Sequence, residues 1–180
     1  MFTNWLRNNR VAAALLTIIR VYLGYEFLSA GWEKLSASTP FDASGFLKYS
    51  MSNPVLSPTK AVEYPWFNSF INAFALPHIA LFNVLVPWGE FLIGIGLILG
   101  VLTTTAAFFA MMLNFMYMFC GTVSSNPLDL LLGIFIVVAG YNAGKIGGDF
   151  FLIPWLHSQT HKWFHREVAL PTAPKSAHSH

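Results

Sequence analysis

Charge is scarce in this chain. Of its 180 residues 10% are charged, against about 25% in an ordinary soluble domain. So few charges cannot keep a surface of this size in water, which excludes a soluble globular enzyme and a solvated disordered chain. Ten Lys or Arg against eight Asp or Glu leave a net charge of +2, so the basic face of a nucleic-acid binder is missing too. Cysteine is nearly absent. Cys120 stands alone, excluding an intramolecular disulfide, a CxxC relay and a cysteine-held iron–sulfur cluster. No GxGxxG run follows a strand pattern, so the dinucleotide fingerprint is lacking. What abounds is apolar: 55% hydrophobic residues, with 17 Phe, 6 Trp and 6 Met. The composition is that of a single domain buried in lipid.

A helix crossing ~30 Å of hydrocarbon needs roughly 20 mostly apolar residues. Four stretches suggest themselves: 11–35, 79–101, 103–119 and 127–143. They predict an all-α, integral membrane four-helix bundle occupying 1–170, with 171–180 a disordered tail. The second and third runs are joined by almost nothing, which makes them an antiparallel hairpin. Asn126, Pro127 and Asp129 mark a helix start: a cap, a first-turn proline and an acid at the positive helix end.

Lys and Arg near the span ends set orientation. Arg7 and Arg10 precede the first run, and Lys145, Lys162 and Arg166 follow the fourth. An even number of spans with these flanks places both termini in the cytoplasm of a bacterial plasma membrane. Lys48 and Lys60 oppose this weakly, being balanced by Asp42 and Glu63. The first apolar run is too long for a cleaved leader and is interrupted by Arg20 and Glu26. Between Ser36 and His78 two apolar pieces, Phe41–Met51 and Tyr64–Ala75, are too short to span. Trp66, Phe67, Phe70 and Phe74 recur there at helical spacing, as in a helix lying in the outer interface. The segment after Gly148, with Trp155, Trp163, Lys162 and Arg166, reads as its inner counterpart.

Charges at membrane depth are costly and usually face the bundle interior. Arg20, Gly24, Phe27, Gly31 and Lys34 share one stripe of the first helix; Tyr22, Glu26, Ser29 and Glu33 share another. Polar groups on two faces predict a central helix with neighbours on both sides. Arg20 lies nine residues inside Val11, roughly 14 Å, and Glu90 eleven before Val101, roughly 17 Å. These depths predict an Arg20–Glu90 ion pair, with Gly24, Gly89, Gly94 and Gly96 letting the helices approach and Asn114 at a similar depth. Glu26, Glu33 and Asp129 would form an acidic funnel toward the outside. Such a pair either organises a site or merely fixes register; Asp129 equally suits a helix start, and Glu33 and Lys34 equally suit snorkelling to the rim.

These residues also carry a resemblance. The chain resembles the DoxX family of small four-span membrane proteins in Arg20-xxx-Gly24-xx-Phe27-xxx-Gly31-xx-Lys34 and in Gly89-Glu90-xxx-Gly94-xx-Leu97-xx-Gly100. Gly140-xxx-Gly144 followed by Gly148-Asp149 matches as well. The long first loop is similar to that of relatives resembling the DoxD subunit of thiosulfate:quinone oxidoreductase. The resemblance implies a membrane subunit passing electrons from a reduced sulfur or thiol donor to quinone, alone or with a second membrane subunit or a soluble oxidoreductase. A quinone site wants an apolar pocket, aromatic walls and a proton donor near a carbonyl. Glu90 and Arg20 are the expected catalytic pair, and Lys34, Glu26, Asn114 and Trp88 the expected substrate-binding residues. Thiosulfate, a dianion, would have to be met by Lys34 or Arg20 against the outer carboxylates. A scaffold that docks a soluble oxidoreductase is the rival, and a small transporter or lipid-binding protein a third reading.

His157, His161 and His165 repeat every four residues and would share a helix face, where they would meet headgroups or a metal. His78 is a lone rim histidine. Cys120 reads as a packing residue, with thiol exchange the alternative.

Overall fold

The computed structural model describes residues 1–164, and their regular secondary structure is helical apart from an isolated bridge between Leu56 and Val62. The expected tail 171–180 lies outside the described residues. A short helix, α1 (Phe2–Asn8), precedes the long α2 (Arg10–Ser36). Asn9 breaks them because its backbone is extended and its side chain accepts from Val11 N at 2.7 Å and Ala12 N at 3.3 Å, capping α2. α3 (Ser44–Ser52), α4 (Pro65–Phe70) and a π-helical turn (Ile71–Ala75) fill the first loop. α5 (Ile79–Leu99) follows, then α6 (Thr103–Phe119), α7 (Asn126–Ala139), α8 (Tyr141–Gly144) and α9 (Asp149–Phe164).

Two of these helices, α2 and α5, are long and apolar enough to cross a membrane, with mean hydropathies of 1.6 and 1.8. α6 and α7 are apolar but shorter. The fourth apolar run is divided because Gly140, at φ 58 and ψ −131, ends α7 in a conformation that L side chains avoid. α2 packs on α5, α5 on α6, α6 on α7, and α7 back on α2. Their shared core is Leu16, Leu23, Phe27, Leu97, Ala107 and Ile136, with smaller residues between.

Glycine sets the α2–α5 approach. A Cβ on Gly31 would lie 2.5 Å from Phe91 N, and one on Gly94 would lie 2.6 Å from Leu28 Cα. Gly24 sits equally close to Gly94 O and to Ile98. Backbone touches backbone along this seam. Gly89 takes no part, for a Cβ there would meet nothing within 4 Å, and Gly96 turns toward Ala106 of α6.

The contacts of α2 with α1, α5, α7 and α8 leave one flank open, which corrects the expectation of neighbours on both sides. Tyr22, Tyr25, Ser29, Trp32 and Glu33 are exposed and Glu26 is half-buried, so the second polar stripe faces out of the molecule. The helices that bury Arg20, Leu23 and Phe27 all lie on the opposite flank.

The first loop forms a second small core over the end of the bundle away from the N-terminus. Phe67 and Ile71 are buried there with Cys120. Asn83 of α5 pins it: its Oδ1 accepts from Ala43 N at 2.9 Å and its Nδ2 donates to Asp42 Oδ1 at 3.3 Å.

Candidate functional site

The seam fixes a register that the rim-to-rim depths missed. Residue 24 faces 98, 28 faces 94 and 31 faces 91. Glu90 therefore comes level with Trp32, twelve residues from Arg20, or roughly 18 Å along the axis. The expected Arg20–Glu90 pair does not form. The helices are staggered, α2 beginning well before the inner end of α5, so distances counted from their ends do not correspond.

Glu90 pairs instead with Lys34, Nζ to Oε2 at 2.6 Å, and Tyr117 of α6 donates to Oε1 at 2.5 Å. The carboxylate is buried, its side chain 3% exposed, while that of Lys34 is 25% exposed and opens the cluster toward the surface. Each carboxylate oxygen thus has its own donor, a geometry that strengthens both charge-assisted bonds. Lys34 Nζ also donates to Ala30 O at 3.3 Å. Two rings of the first loop cover the cluster: Phe41 lies 6.0 Å from Lys34 Nζ, and Phe46 meets Tyr117 edge-on. Tyr117 is the site residue that sequence reasoning missed. The available signal was its place one turn beyond Asn114 on the same face of α6.

Asn114 is buried and its Nδ2 has no partner; Asp129 of α7 is buried with an unpartnered Oδ1. Gly133 meets Met111 and the Ala107 carbonyl, so Asp129, a turn earlier, comes level with Asn114 on the facing helix. Glu90, Asn114 and Asp129 are thus buried polar residues of α5, α6 and α7, while Lys34 of α2 is a quarter exposed. Glu26 and Trp88 stand apart from them. Trp88 is 50% exposed and packs edge-on against Phe91. Glu26 lies two turns down α2 from Lys34 on the open flank.

Arg20 has a different task. Its Nη1 donates to Leu97 O at 2.9 Å and its Nη2 to Ile146 O, so it closes the carbonyl end of α5 and ties it to the segment before α9. Asp149 completes this corner by accepting from Leu102 N at 2.7 Å and Thr103 N at 2.9 Å, capping α6 from across the fold. Leu102 is held at φ 50 and Gly100 at φ 66, which makes the hairpin turn tight. Main-chain bonds from Gly148 N to Leu99 O and Asp149 N to Gly100 O seal it.

Cys120 is buried beside Phe67 and Ile71. Burial pushes its thiol above the ordinary range, outweighing a hydrogen bond with Ser50, which disfavours the thiolate needed for exchange. Among the described residues no cluster of three or more His, Cys, Asp or Glu is placed to hold a metal, and His165 lies outside them.

Among the described residues the regular structure is helical, and two apolar helices of membrane-spanning length with ionisable groups buried between helices fit a membrane protein. The profile of the DoxX family matches residues 15–122, which is more than half of the sequence, and the chain belongs to that family. The match runs from α2 to just past the end of α6, taking in Arg20, Lys34, Glu90, Asn114 and Tyr117. Searches of curated proteins and of solved structures found no match.

Proposed function

We propose that the chain is the quinone-binding membrane subunit of a sulfur or thiol oxidoreductase, and that the Lys34–Glu90–Tyr117 cluster receives the quinone head. The observation that carries this is one buried carboxylate with two different proton donors on its two oxygens, at the covered end of the bundle. Intramembrane ionisables of this kind mark functional sites. The donor set fits a quinone: Lys34 Nζ keeps one N–H beyond those given to Glu90 and Ala30 for a carbonyl oxygen, Tyr117 OH would turn from Glu90 to offer its proton, and Phe41 and Phe46 supply aromatic walls. A bound quinone supplies the acceptor for two electrons and two protons. The protein's part is protonic. Tyr117 would offer its hydroxyl proton to the quinone, Glu90 anchors both Lys34 and Tyr117, and Lys34, partly exposed, links the cluster to the surface. Phe41 and Phe46 exclude bulk water.

In this reading the chain crosses a bacterial plasma membrane four times, through α2, α5, α6 and α7–α8, with both termini inside. Lys34 is neutralised by Glu90, and Glu33 stands exposed beside it, which disfavours a dianion such as thiosulfate. A neutral thiol suits the site better: two thiols become a disulfide, releasing the two electrons and two protons that reduce one quinone to quinol.

The test is saturable binding of ubiquinone or menaquinone analogues to the detergent-purified protein. Glu90→Gln and Tyr117→Phe should each weaken binding on the order of tenfold while the variants melt as cooperatively as the wild type. Absence of saturable binding by the wild type overturns the proposal.

A second reading, in which the chain holds a further membrane subunit, is favoured by the open flank of α2. Glu26 and Ser29 lie on it roughly 15 Å and 10 Å from Ser36, too deep for bare lipid. Crosslinking from a photoreactive residue at Tyr25 tests it.

A further inference from the structure

At the end of the bundle that carries the N-terminus, Arg10, Ala13, Lys145, Ile146 and Phe150 line a pocket of about 290 Å³. Its two cations lie 135 residues apart in sequence and share one pocket because buried polar side chains pin both walls. Asn142, 2% exposed, donates to Leu6 O at 2.7 Å and to Asn9 O at 3.0 Å, which fixes the bend from which Arg10 starts α2. Arg20 binds the carbonyl of Ile146 and so holds the backbone next to Lys145. Arg7 is engaged with Val138 O at 2.9 Å, and the guanidinium of Arg20 is taken up by the carbonyls of Leu97 and Ile146. The nearby acid is Asp149, buried and occupied by the amides that begin α6. Arg10 and Lys145 therefore place two positive residues on the wall of a largely apolar pocket, and none of its lining residues is acidic. Ile146 and Phe150, both about half exposed, give it an apolar lip.

We infer that this pocket binds the phosphate of an anionic phospholipid, with the lip against the glycerol and upper acyl chains. The chemistry is phosphate recognition by a paired guanidinium and ammonium, and position favours a lipid over a free ion. The pocket lies where a spanning helix leaves the membrane, and basic pockets between helix ends on that side suit anionic headgroups. The inference rests on the membrane reading of the family and of α2, and is independent of the quinone site.

The experiment uses the full chain in a neutral maltoside detergent, titrated with phosphatidylglycerol, phosphatidylcholine or inorganic phosphate. The readouts are native mass spectrometry for retained lipid and thermal melting for stabilisation. Phosphatidylglycerol should bind saturably and raise the melting temperature; phosphatidylcholine should do neither. Arg10→Gln or Lys145→Gln should weaken binding about fivefold and the double variant roughly thirtyfold. Arg10→Lys, which keeps the charge, should retain most of it, and Lys60→Gln in the opposite loop should change nothing. Equal binding by the double variant, or equal stabilisation by phosphatidylcholine, overturns the proposal. Saturation by inorganic phosphate as tight as by the lipid overturns the lipid source and leaves a free-anion site. Should the double variant fail to fold, the two single variants and Arg10→Lys decide, since wild-type affinity in both neutral variants refutes the pocket. Quinone binding is read separately, so neither result stands in for the other.

Discussion

Arg20 and Glu90 are equally buried, yet their neighbours give them different work. Arg20 spreads its fork over carbonyls from α5 and from the segment before α9, and that geometry needs a branched planar cation. Arg20→Ala should lower stability by about 2–4 kcal/mol, because buried carbonyls lose their donor and Asp149 loses its countercharge. Arg20→Lys should recover little of it, as denaturant or detergent titration will show. Glu90→Gln is expected to be milder, within about 1–2 kcal/mol, because the amide oxygen still accepts from Tyr117 and Lys34 can turn to water. A large stability loss in Glu90→Gln with unchanged quinone binding would reverse these assignments. The burial of both residues was legible in the sequence, since charge within an apolar run is costly to leave facing lipid. Their partners were not, because a helix wheel gives the face and leaves the axial register of two helices open.

At the scale of elements, register is decided by glycine. The α2–α5 seam closes where Gly24, Gly31 and Gly94 remove the Cβ, and a methyl at Gly94 would overlap the backbone of Leu28. Gly94→Ala should force the helices apart and lower the melting temperature sharply. Gly89→Ala, with open space around it, should be neutral or stabilising by up to about 1 kcal/mol through helix propensity. The loop after α2 is held by a lighter device. The hydroxyl and then the amide of Ser44, with Asn83, hold the Asp42 carboxyl below the usual carboxylate range. Folding thus favours the charged form; the pinning is complete above about pH 4 and is lost as the pH falls through the lowered value. Pepsin cleavage between Ala37 and Tyr64 should accordingly rise below about pH 4 in the wild type, and Asp42→Asn should cleave readily without that pH dependence. Periodicity located the helix around Trp66–Phe74, whereas the break at Gly140 and the small helix α1 follow from backbone geometry and tertiary contacts.

For the whole molecule, the stagger of α2 against α5 separates two polar regions. The corner built by Arg20 and Asp149 lies toward the N-terminal end; the Lys34–Glu90–Tyr117 cluster lies under the first loop. The proposed topology, four crossings with both termini inside, predicts that a membrane-impermeant amine reagent applied to intact cells modifies Lys60 and spares Lys145. Reversed labelling would invert the proposed topology and move the proposed quinone site to the other leaflet.

The sequence by itself determined the membrane class, the helical content, the family, and the few ionisable residues worth testing, because scarcity of charge and length of apolar runs are local properties of the chain. Tertiary structure decided which of those residues meet. It separated Arg20 from Glu90, gave Glu90 to Lys34 and Tyr117, and turned Glu26 and Trp88 away from the site. The physical reason is that partner choice depends on how far one helix slides along another. That slide is set by where glycines permit contact, not by where each helix begins.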